Sequence, residues 1–135
     1  MKKAYFAISY SNRRSFDREV DGLQDLFKKN NIELLIFVDK YSFKENQEKE
    51  MMKVAFEEID SSDFLIAELT TKSIGVGIEI GYAFAKEKPV FYLHSKNSAY
   101  STTASGCSVS VLEYENEWDL VEKMEEHLET IYNKR

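Results

Sequence analysis

A single carboxylate inside a glycine-rich and otherwise apolar segment is the side chain of this 135-residue chain best suited to chemistry. Glu79 lies in the segment 77–81, Gly-Ile-Glu-Ile-Gly, which the pattern places in the first turn of a helix. The helix dipole and nearby N–H groups favour the ionised carboxylate, while the apolar neighbours remove water from it. Such a carboxylate is suited to nucleophilic attack, and the alternative is that Glu79 only complements the helix dipole.

Two loops, residues 9–14 and 70–77, are rich in small hydroxyl and glycine residues. The residues concerned are Ser9 and Ser11 in the first loop and Ser73, Gly75 and Gly77 in the second. Hydroxyl groups and backbone N–H groups at a helix N-terminus stabilise a phosphate or carboxylate, and glycines let the backbone approach it. The spacing matches neither the nucleoside-triphosphate loop nor the dinucleotide loop, so the alternative is an ordinary polar loop.

The elements that must position these residues follow from the apolar pattern. Continuous apolar runs predict five strands, and segments with helical spacing lie between them. The predicted strands are residues 4–8, 32–38, 64–67, 90–93 and 108–114, and the predicted helices begin near residues 15, 48, 77 and 117. Strands without alternation, separated by helices, indicate a parallel sheet with helices on both faces.

We therefore predict one α/β domain over residues 1–135, flavodoxin-like or Rossmann-like, with five parallel strands in the order 2-1-3-4-5. In that order, ligands of such sheets bind in the crevice at the carboxyl ends of strands one and three. The loops 9–14 and 70–77 follow these two strands. We expect both loops and Glu79 to meet at this edge.

The composition excludes several classes of function. With 18 Lys and Arg against 24 Asp and Glu, the net charge is −6, and no basic run favours a nucleic-acid polymer as partner. One cysteine and two separated histidines do not supply a structural zinc site, and no metal or cofactor is expected. The apolar run 4–9 is too short for a signal peptide or a membrane span, so a cytoplasmic location is expected.

The segment 73–83, Ser-Ile-Gly-Val-Gly-Ile-Glu-Ile-Gly-Tyr-Ala, resembles the nucleoside 2-deoxyribosyltransferase superfamily. It is preceded by Ser-Asp-Phe-Leu-Ile-Ala-Glu-Leu-Thr at 62–70 and followed by Lys-Pro-Val at 88–90. Within the superfamily, the 2′-deoxynucleoside 5′-monophosphate N-glycosidases are the most similar. The resemblance extends from Tyr5 to about Gly106.

The resemblance implies that Glu79 attacks the anomeric carbon of a sugar and displaces the base. The glycosyl-enzyme ester that results is resolved by water or by a second base, and hydrolysis is expected because the monophosphate hydrolases use water. Ser101 resembles a serine contributed by a neighbouring subunit, which implies a homodimer with shared sites. The substrate-binding residues that we predict are Tyr5, Ser9, Ser11, Asp63, Ser73, Gly75, Gly77 and Ser101.

The chain departs from the family pattern in two places. The first loop of the family commonly has a glycine before its serine and an arginine two residues after it, whereas this chain has Ile8 and Ser11. The family aspartate on the second helix, which orients the sugar or protonates the leaving base, is replaced by Ala55, with Glu58 nearly one turn away. These positions bear on phosphate recognition and on protonation of the leaving base.

Two alternative functions stay open. The N-terminal half, with Phe-Ala-Ile-Ser-Tyr-Ser at 6–11 and Ile-Phe-Val-Asp at 36–39, resembles the opening of a TIR domain, and some TIR domains cleave NAD. Ala55 and the absent family arginine also fit a nucleotide sensor that binds without turnover. Release of a free base that depends on Glu79 distinguishes an enzyme from a sensor.

Overall fold

Five parallel strands form one sheet in the order β2-β1-β3-β4-β5, in a computed structural model that describes residues 1–132. The strands are β1 (Lys2–Ala7), β2 (Ile32–Ile36), β3 (Phe64–Glu68), β4 (Val90–Ser95) and β5 (Ser110–Tyr114). The helices are α1 (Asp17–Lys29), α2 (Phe37–Lys40), α3 (Glu48–Asp60), α4 (Ile74–Ala85), α5 (Thr102–Gly106) and α6 (Glu117–Tyr132). The predicted flavodoxin-like fold is therefore confirmed.

The two faces of the sheet bury different side chains because successive residues of a strand point to opposite sides. Phe6, Ile66 and Phe91 belong to the core beneath α1 and α6. Tyr5 and Leu65, which are paired in register across β1 and β3, belong to the core beneath α3 and α4. The face that carries Tyr5 is therefore the face on which α4 and Glu79 lie.

Several predicted boundaries differ from the structure. A 3-10 helix, Tyr10–Phe16, occupies the predicted loop 9–14, and α5 lies within the predicted loop 95–106. The second strand ends at Ile36 rather than at residue 38, because Phe37 and Val38 form the first turn of α2. Helices of one or two turns are too short to show a helical repeat of apolar residues, so the sequence pattern does not reveal them.

None of the helices within residues 1–132 combines the length and the apolar character needed to span a bilayer.

Helices α1 and α6 pack closely at Gly22, and this contact generates the first prediction. A Cβ atom at Gly22 would lie 2.8 Å from Cγ2 of Val121, whose branched side chain is stiff. Overpacking costs about 1–3 kcal/mol, and replacing a helical glycine by alanine returns about 1 kcal/mol. We therefore expect Gly22→Ala to lower the free energy of unfolding by up to about 2 kcal/mol in urea titrations.

The double variant Gly22→Ala with Val121→Ala is the control for this contact. Removing the Val121 methyl groups leaves room for the new Cβ, so adding Gly22→Ala in the Val121→Ala background is expected to be neutral or stabilising. An equal loss of stability in both backgrounds would show that Val121 is not the cause.

Candidate active site

A buried carboxylate at the end of β3 fixes the loop that leads into α4. Glu68 accepts hydrogen bonds from the Tyr114 hydroxyl at 2.6 Å, the Thr70 N–H at 2.7 Å and the Thr70 hydroxyl at 2.8 Å. The Ser95 N–H donates to the Thr70 hydroxyl oxygen at 3.0 Å. Burial raises the pKa of Glu68, although its three hydrogen bonds oppose the rise. The loop is thus tied to the carboxyl ends of β3, β4 and β5.

Helix α4 begins at Ile74, three residues earlier than predicted. Ser73 is its N-cap, and the Ser73 side chain accepts a hydrogen bond from the Val76 N–H at 3.3 Å. The prediction of a start at Gly77 is wrong because the hydroxyl cap sets the start, and a helix tolerates glycine in its interior at a modest cost. Glu79 therefore lies in the second turn, one turn away from the free N–H groups of the helix end.

The Glu79 carboxylate faces β1. The Tyr5 hydroxyl donates a hydrogen bond to Glu79 Oε2. Tyr5 is fully buried in β1, and its ring stacks on Phe37. Burial raises the pKa of Tyr5, and the neighbouring Glu79 carboxylate raises it further, so Tyr5 keeps its proton and acts as a fixed donor. One oxygen of Glu79 is thereby held in place.

The burial of Glu79 sets its protonation. Its side chain is only partly accessible to solvent. Burial raises the pKa of Glu79 to about 7, and the hydrogen bond from Tyr5 opposes the rise. Desolvation, which the apolar neighbours of Glu79 lead us to expect, therefore outweighs the effect of the hydrogen bond. At neutral pH the neutral acid is therefore populated beside the poorly solvated carboxylate.

A cavity of about 370 Å³ lies between the start of α4 and α5. Ser73, Gly77 and Ser101 line it, together with Lys72. Ser101 is the N-cap of α5, since its hydroxyl accepts a hydrogen bond from the Ala104 N–H at 3.1 Å. The structure thus brings together three of the predicted binding residues from two separate segments of the chain.

The cavity and the Glu79 carboxylate lie on different sides of α4. Ser73, Gly77 and Gly81 are spaced by four residues and share the side of the helix that faces the cavity. Glu79 and Tyr5 do not line this cavity. The candidate site therefore has two parts, a carboxylate on the β1 side of α4 and a hydroxyl-lined cavity on its α5 side.

The predicted residues of the first loop lie at the carboxyl end of β1. The Ser9 and Ser11 hydroxyl oxygens are 3.0 Å apart at the start of the 3-10 helix, and both side chains are accessible. Gly75 lies in the first turn of α4, where an added Cβ would be 3.9 Å from the Ser73 hydroxyl oxygen. These three residues border the same edge of the sheet as the two parts of the site.

Glu58 on α3 is the centre of a hydrogen-bond network. Glu58 Oε1 accepts a hydrogen bond from Lys3 Nζ at 2.6 Å, and Oε2 accepts one from Lys40 Nζ at 2.9 Å and another from the Tyr41 hydroxyl. Burial alone would raise the pKa of Glu58, but the hydrogen bonds from Lys3, Tyr41 and Lys40 outweigh it and lower the pKa to about 2. Glu58 is therefore ionised at neutral pH.

A family model described as nucleoside 2-deoxyribosyltransferase matches residues 4–129 of the chain. This match covers most of the sequence, including the segment around Glu79. The chain belongs to the nucleoside 2-deoxyribosyltransferase family. The predicted family and the prediction of an enzyme are therefore confirmed. No curated protein matches the chain in a sequence search.

Solved structures share the fold of this family member. A CMP N-glycosidase from Clostridium botulinum is 20% identical with a TM-score of 0.70, over 91% of this chain and 98% of that one. A conserved protein from Enterococcus faecalis V583 is 24% identical with a TM-score of 0.73, over 94% and 99% of the two chains. A 2-deoxyribosyltransferase from Bacillus psychrosaccharolyticus is 13% identical with a TM-score of 0.70, over 91% and 90%.

The position of the family aspartate on α3 holds no acid in this member. Ala55 is buried in the core beneath α3 and α4. Glu58, nearly one turn from Ala55, is bound by Lys3, Lys40 and Tyr41. Because its pKa lies near 2, Glu58 carries no proton to give to a leaving base at neutral pH.

The two arginines at the end of the first loop, Arg13 and Arg14, differ in their availability. Arg13 is buried, and its guanidinium donates hydrogen bonds to the carboxylates of Asp39 at 2.7 Å and Asp17 at 2.8 Å. These carboxylates already use its charge, so Arg13 does not replace the family arginine. Arg14 is exposed, with an ion pair of 3.7 Å to Asp17.

Asp63, predicted to bind substrate, lies away from the candidate site. Asp63 immediately precedes β3, at the amino end of the sheet, whereas the candidate site borders the carboxyl end. Its carboxylate accepts a hydrogen bond from the Lys3 N–H at 2.8 Å, and its own N–H donates to the Lys3 carbonyl at 2.7 Å. Asp63 therefore fixes the start of the pairing between β1 and β3.

Two aromatic residues near the site lie in the segment 39–46, which is otherwise polar and which the sequence pattern predicts to be a loop. Tyr41 and Phe43 follow α2 and pack against the core that contains Tyr5. The signal available in the sequence is two aromatic side chains two residues apart in an otherwise polar stretch. Apolar periodicity does not detect them, because the segment has no regular structure.

The burial of Glu79 predicts a dependence of stability on pH. Because folding raises the pKa of Glu79 from 4.5 to about 7, the folded state binds the proton more tightly than the unfolded state does. The stabilising effect is present below pH 4.5 and is lost as the pH rises through about 7. We therefore expect Glu79→Gln to melt at a higher temperature than the wild type at pH 8.

The control is Glu57→Gln, which neutralises an exposed carboxylate on the neighbouring helix. The difference between Glu79→Gln and the wild type is expected to shrink to zero below pH 4.5, where Glu79 is neutral in both states. Calorimetry at pH 4 and pH 8 measures it. A Glu79→Gln variant that is less stable than the wild type at pH 8 would contradict a desolvated carboxylate.

Proposed function

We propose that this chain hydrolyses the N-glycosidic bond of a nucleoside or a nucleoside 5′-monophosphate, with Glu79 as the nucleophile. The observation that carries the proposal is the partly buried Glu79 carboxylate, held by the Tyr5 hydroxyl, within the segment that matches the family. Cleavage or transfer of such a bond is supported by family membership, and by the fold shared with a CMP N-glycosidase and a 2-deoxyribosyltransferase.

The reaction proceeds in two displacements. A carboxylate oxygen of Glu79 attacks the anomeric carbon while the C–N bond breaks, and its electron pair leaves with the base, which takes a proton from solvent. The negative carboxylate stabilises the oxocarbenium-like transition state, as in retaining glycosidases. Water then attacks the anomeric carbon, the bond to Glu79 breaks, and the water proton passes to solvent. Tyr5 holds one carboxylate oxygen and leaves the other for attack.

The start of α4, where Ser73 caps the helix and borders the hydroxyl-lined cavity, is the proposed place for the 5′-phosphate. Ser73 supplies a hydroxyl group there, and Lys72 is the cationic side chain that lines the adjoining cavity. Since Arg13 is bound by two aspartates, Lys72 takes the part of the family arginine in this proposal. Other predicted binding residues retained in the proposal are Tyr5, Ser9, Ser11, Gly75 and Gly77.

Helix α4 supports a homodimer. Its sequence is almost entirely apolar, and a helix that is apolar on all sides is expected to be buried on all sides. In the single chain, however, Ile74 is 85% exposed and Phe84 is 56% exposed. A Cβ at Gly77 or Gly81 would meet nothing within 4 Å, so this side has room for a closely packed partner. We infer that a second copy covers it and that Ser101 contributes to the neighbouring cavity.

The extent and location of the enzyme are part of the same proposal. Residues 1–135 act as one domain, which the family match over residues 4–129 supports. Cys107 is a free and partly exposed thiol, which suits a reducing compartment such as the cytoplasm.

Glu79→Gln tests the nucleophile because it keeps the size of the side chain and removes the anion. The purified wild type is incubated separately with deoxynucleosides, deoxynucleoside monophosphates, ribonucleoside monophosphates and NAD. We expect it to release free base from a nucleoside or a nucleoside monophosphate. Glu79→Gln is expected to reduce the rate by at least about 10²-fold while nucleotide binding persists. Chromatography of the free base measures the rate.

The substrate that reacts decides between the alternatives. Base released from a monophosphate supports the hydrolase, whereas nicotinamide released from NAD alone would favour the TIR-like activity. Nucleotide binding with no release of base would make the chain a sensor, and equal rates for the wild type and Glu79→Gln would exclude Glu79 as the nucleophile.

Ile74→Glu tests the dimer without disturbing the core, because the Ile74 side chain is exposed in the single chain. A charge at the centre of an apolar interface weakens it, so we expect sedimentation velocity to show a shift from dimer to monomer. The matched control is Trp118→Glu, which places a charge at a 75% exposed apolar residue on α6. Identical sedimentation of both variants and the wild type would rule out α4 as the interface.

A further inference from the structure

Three aromatic rings lie next to the Tyr5 and Glu79 pair, in and after α2. The Phe37 ring stacks on the Tyr5 ring, with 5.8 Å between centroids and 30° between planes. Phe43 continues the stack from Phe37 at 6.1 Å and 17°, and Tyr41 lies 6.0 Å from Phe43 at 26°. Tyr41 also contacts Phe37, at 5.0 Å and a tilt of 41°. The rings therefore form one connected cluster, which starts at the tyrosine that binds Glu79.

Burial distinguishes the outer rings from the inner one. Phe37 is buried, whereas Tyr41 and Phe43 are only partly buried and keep ring surface accessible. Aromatic residues of the sheet core such as Phe64 and Phe91 leave almost no ring surface to solvent. The cluster thus presents accessible aromatic surface one ring beyond Phe37, which stacks on the tyrosine that binds Glu79.

The Glu58 network holds this surface in one orientation. Tyr41 donates its hydroxyl to Glu58, which also binds Lys40 and Lys3. Lys40 Nζ lies 5.3 Å from the centroid of the Tyr41 ring, so it also packs against the ring itself. A buried and fully paired carboxylate fixes the side chains that it binds, and here it fixes Tyr41.

We propose that Tyr41 and Phe43, held by Glu58, form the surface on which the base of the substrate stacks. This inference rests on the proposed function. The base is bonded directly to the anomeric carbon that Glu79 attacks, so it extends from the carboxylate by about the size of one ring, and the accessible rings of Tyr41 and Phe43 begin one ring beyond Tyr5. Every nucleobase has an aromatic face, and stacking on aromatic side chains tolerates different bases.

Stacking predicts which part of a ligand each variant affects. Phe43→Leu keeps an apolar side chain but removes the ring, so it weakens the binding of ligands that carry a base. Aromatic stacking of a base is worth about 1–3 kcal/mol, which corresponds to roughly 5- to 150-fold in affinity. A sugar phosphate without a base is expected to bind equally well to Phe43→Leu and to its parent.

The experiment is calorimetric titration in the Glu79→Gln background, which prevents turnover. The probes are 2′-deoxycytidine 5′-monophosphate, 2′-deoxyadenosine 5′-monophosphate and 2-deoxyribose 5-phosphate. We expect Phe43→Leu to weaken both nucleotides roughly 5- to 150-fold and to leave the sugar phosphate within about twofold. Tyr41→Phe keeps the ring and removes only the bond to Glu58, so it is expected to lose less nucleotide affinity than Tyr41→Leu.

Phe56→Leu is the matched control, because Phe56 also stacks on an aromatic ring, that of Tyr82, between α3 and α4. It is expected to leave all three affinities unchanged. If Phe43→Leu binds nucleotides as tightly as its parent, or if its affinity for the sugar phosphate falls as much as its affinity for nucleotides, the proposed stacking surface is wrong. Neither result bears on the proposed function. A Glu79→Gln parent that binds no nucleotide would overturn the proposed function together with the stacking surface.

Discussion

The hydrogen bond from Tyr5 to Glu79 is the interaction on which the candidate site depends. It joins a buried strand residue to a helix residue 74 positions later in the chain. A carboxylate on this face of the sheet loses much of its hydration, and the Tyr5 hydroxyl is the donor that returns part of the lost stabilisation. Because Tyr5 is paired with Leu65 of β3, the strand that leads into α4, the sheet register brings the two side chains together.

The surface of α4 is divided among three kinds of contact. Val76, Ile80 and Ala83 pack into the core, Glu79 faces β1, and Ser73 with Gly77 borders the cavity. A helix with so many glycines and so few charges is poorly suited to stand alone in water, since its outer side is apolar as well. The Ser73 cap and the Glu68 network therefore matter, because they fix where this helix begins.

In this chain α3 supports the site without supplying a proton. Ala55 fills the core where the family has an aspartate, and Glu58 is ionised and bound by two lysines and a tyrosine. Glu58 thus holds Tyr41 in place and does not serve as an acid. Stabilisation of a departing base then depends on the surfaces that contact the base and on solvent.

Periodicity and local motifs determined much of this protein from sequence alone. Five continuous apolar runs separated by amphipathic segments predicted a parallel sheet of the flavodoxin-like class, whose strand order the structure confirms, because buried strands and amphipathic helices leave different apolar patterns in the sequence. Glu79 and Ser73 were found from the short segment 73–83, in which a lone acid lies among glycines and apolar residues, although the helix was predicted to start three residues too late. Short helices such as α2 and α5 were missed, since one turn leaves no repeat.

Only the tertiary structure decided which distant side chains meet. It paired Tyr5 with Glu79, enclosed Arg13 between two aspartates, and assigned Asp63 to the edge of the sheet away from the site. It also separated the hydroxyl-lined cavity from Glu79 by the width of a helix. The physical reason is that burial, register and helix start together set these contacts and the pKa of Glu79, and none of them is encoded in the local spacing of residue types.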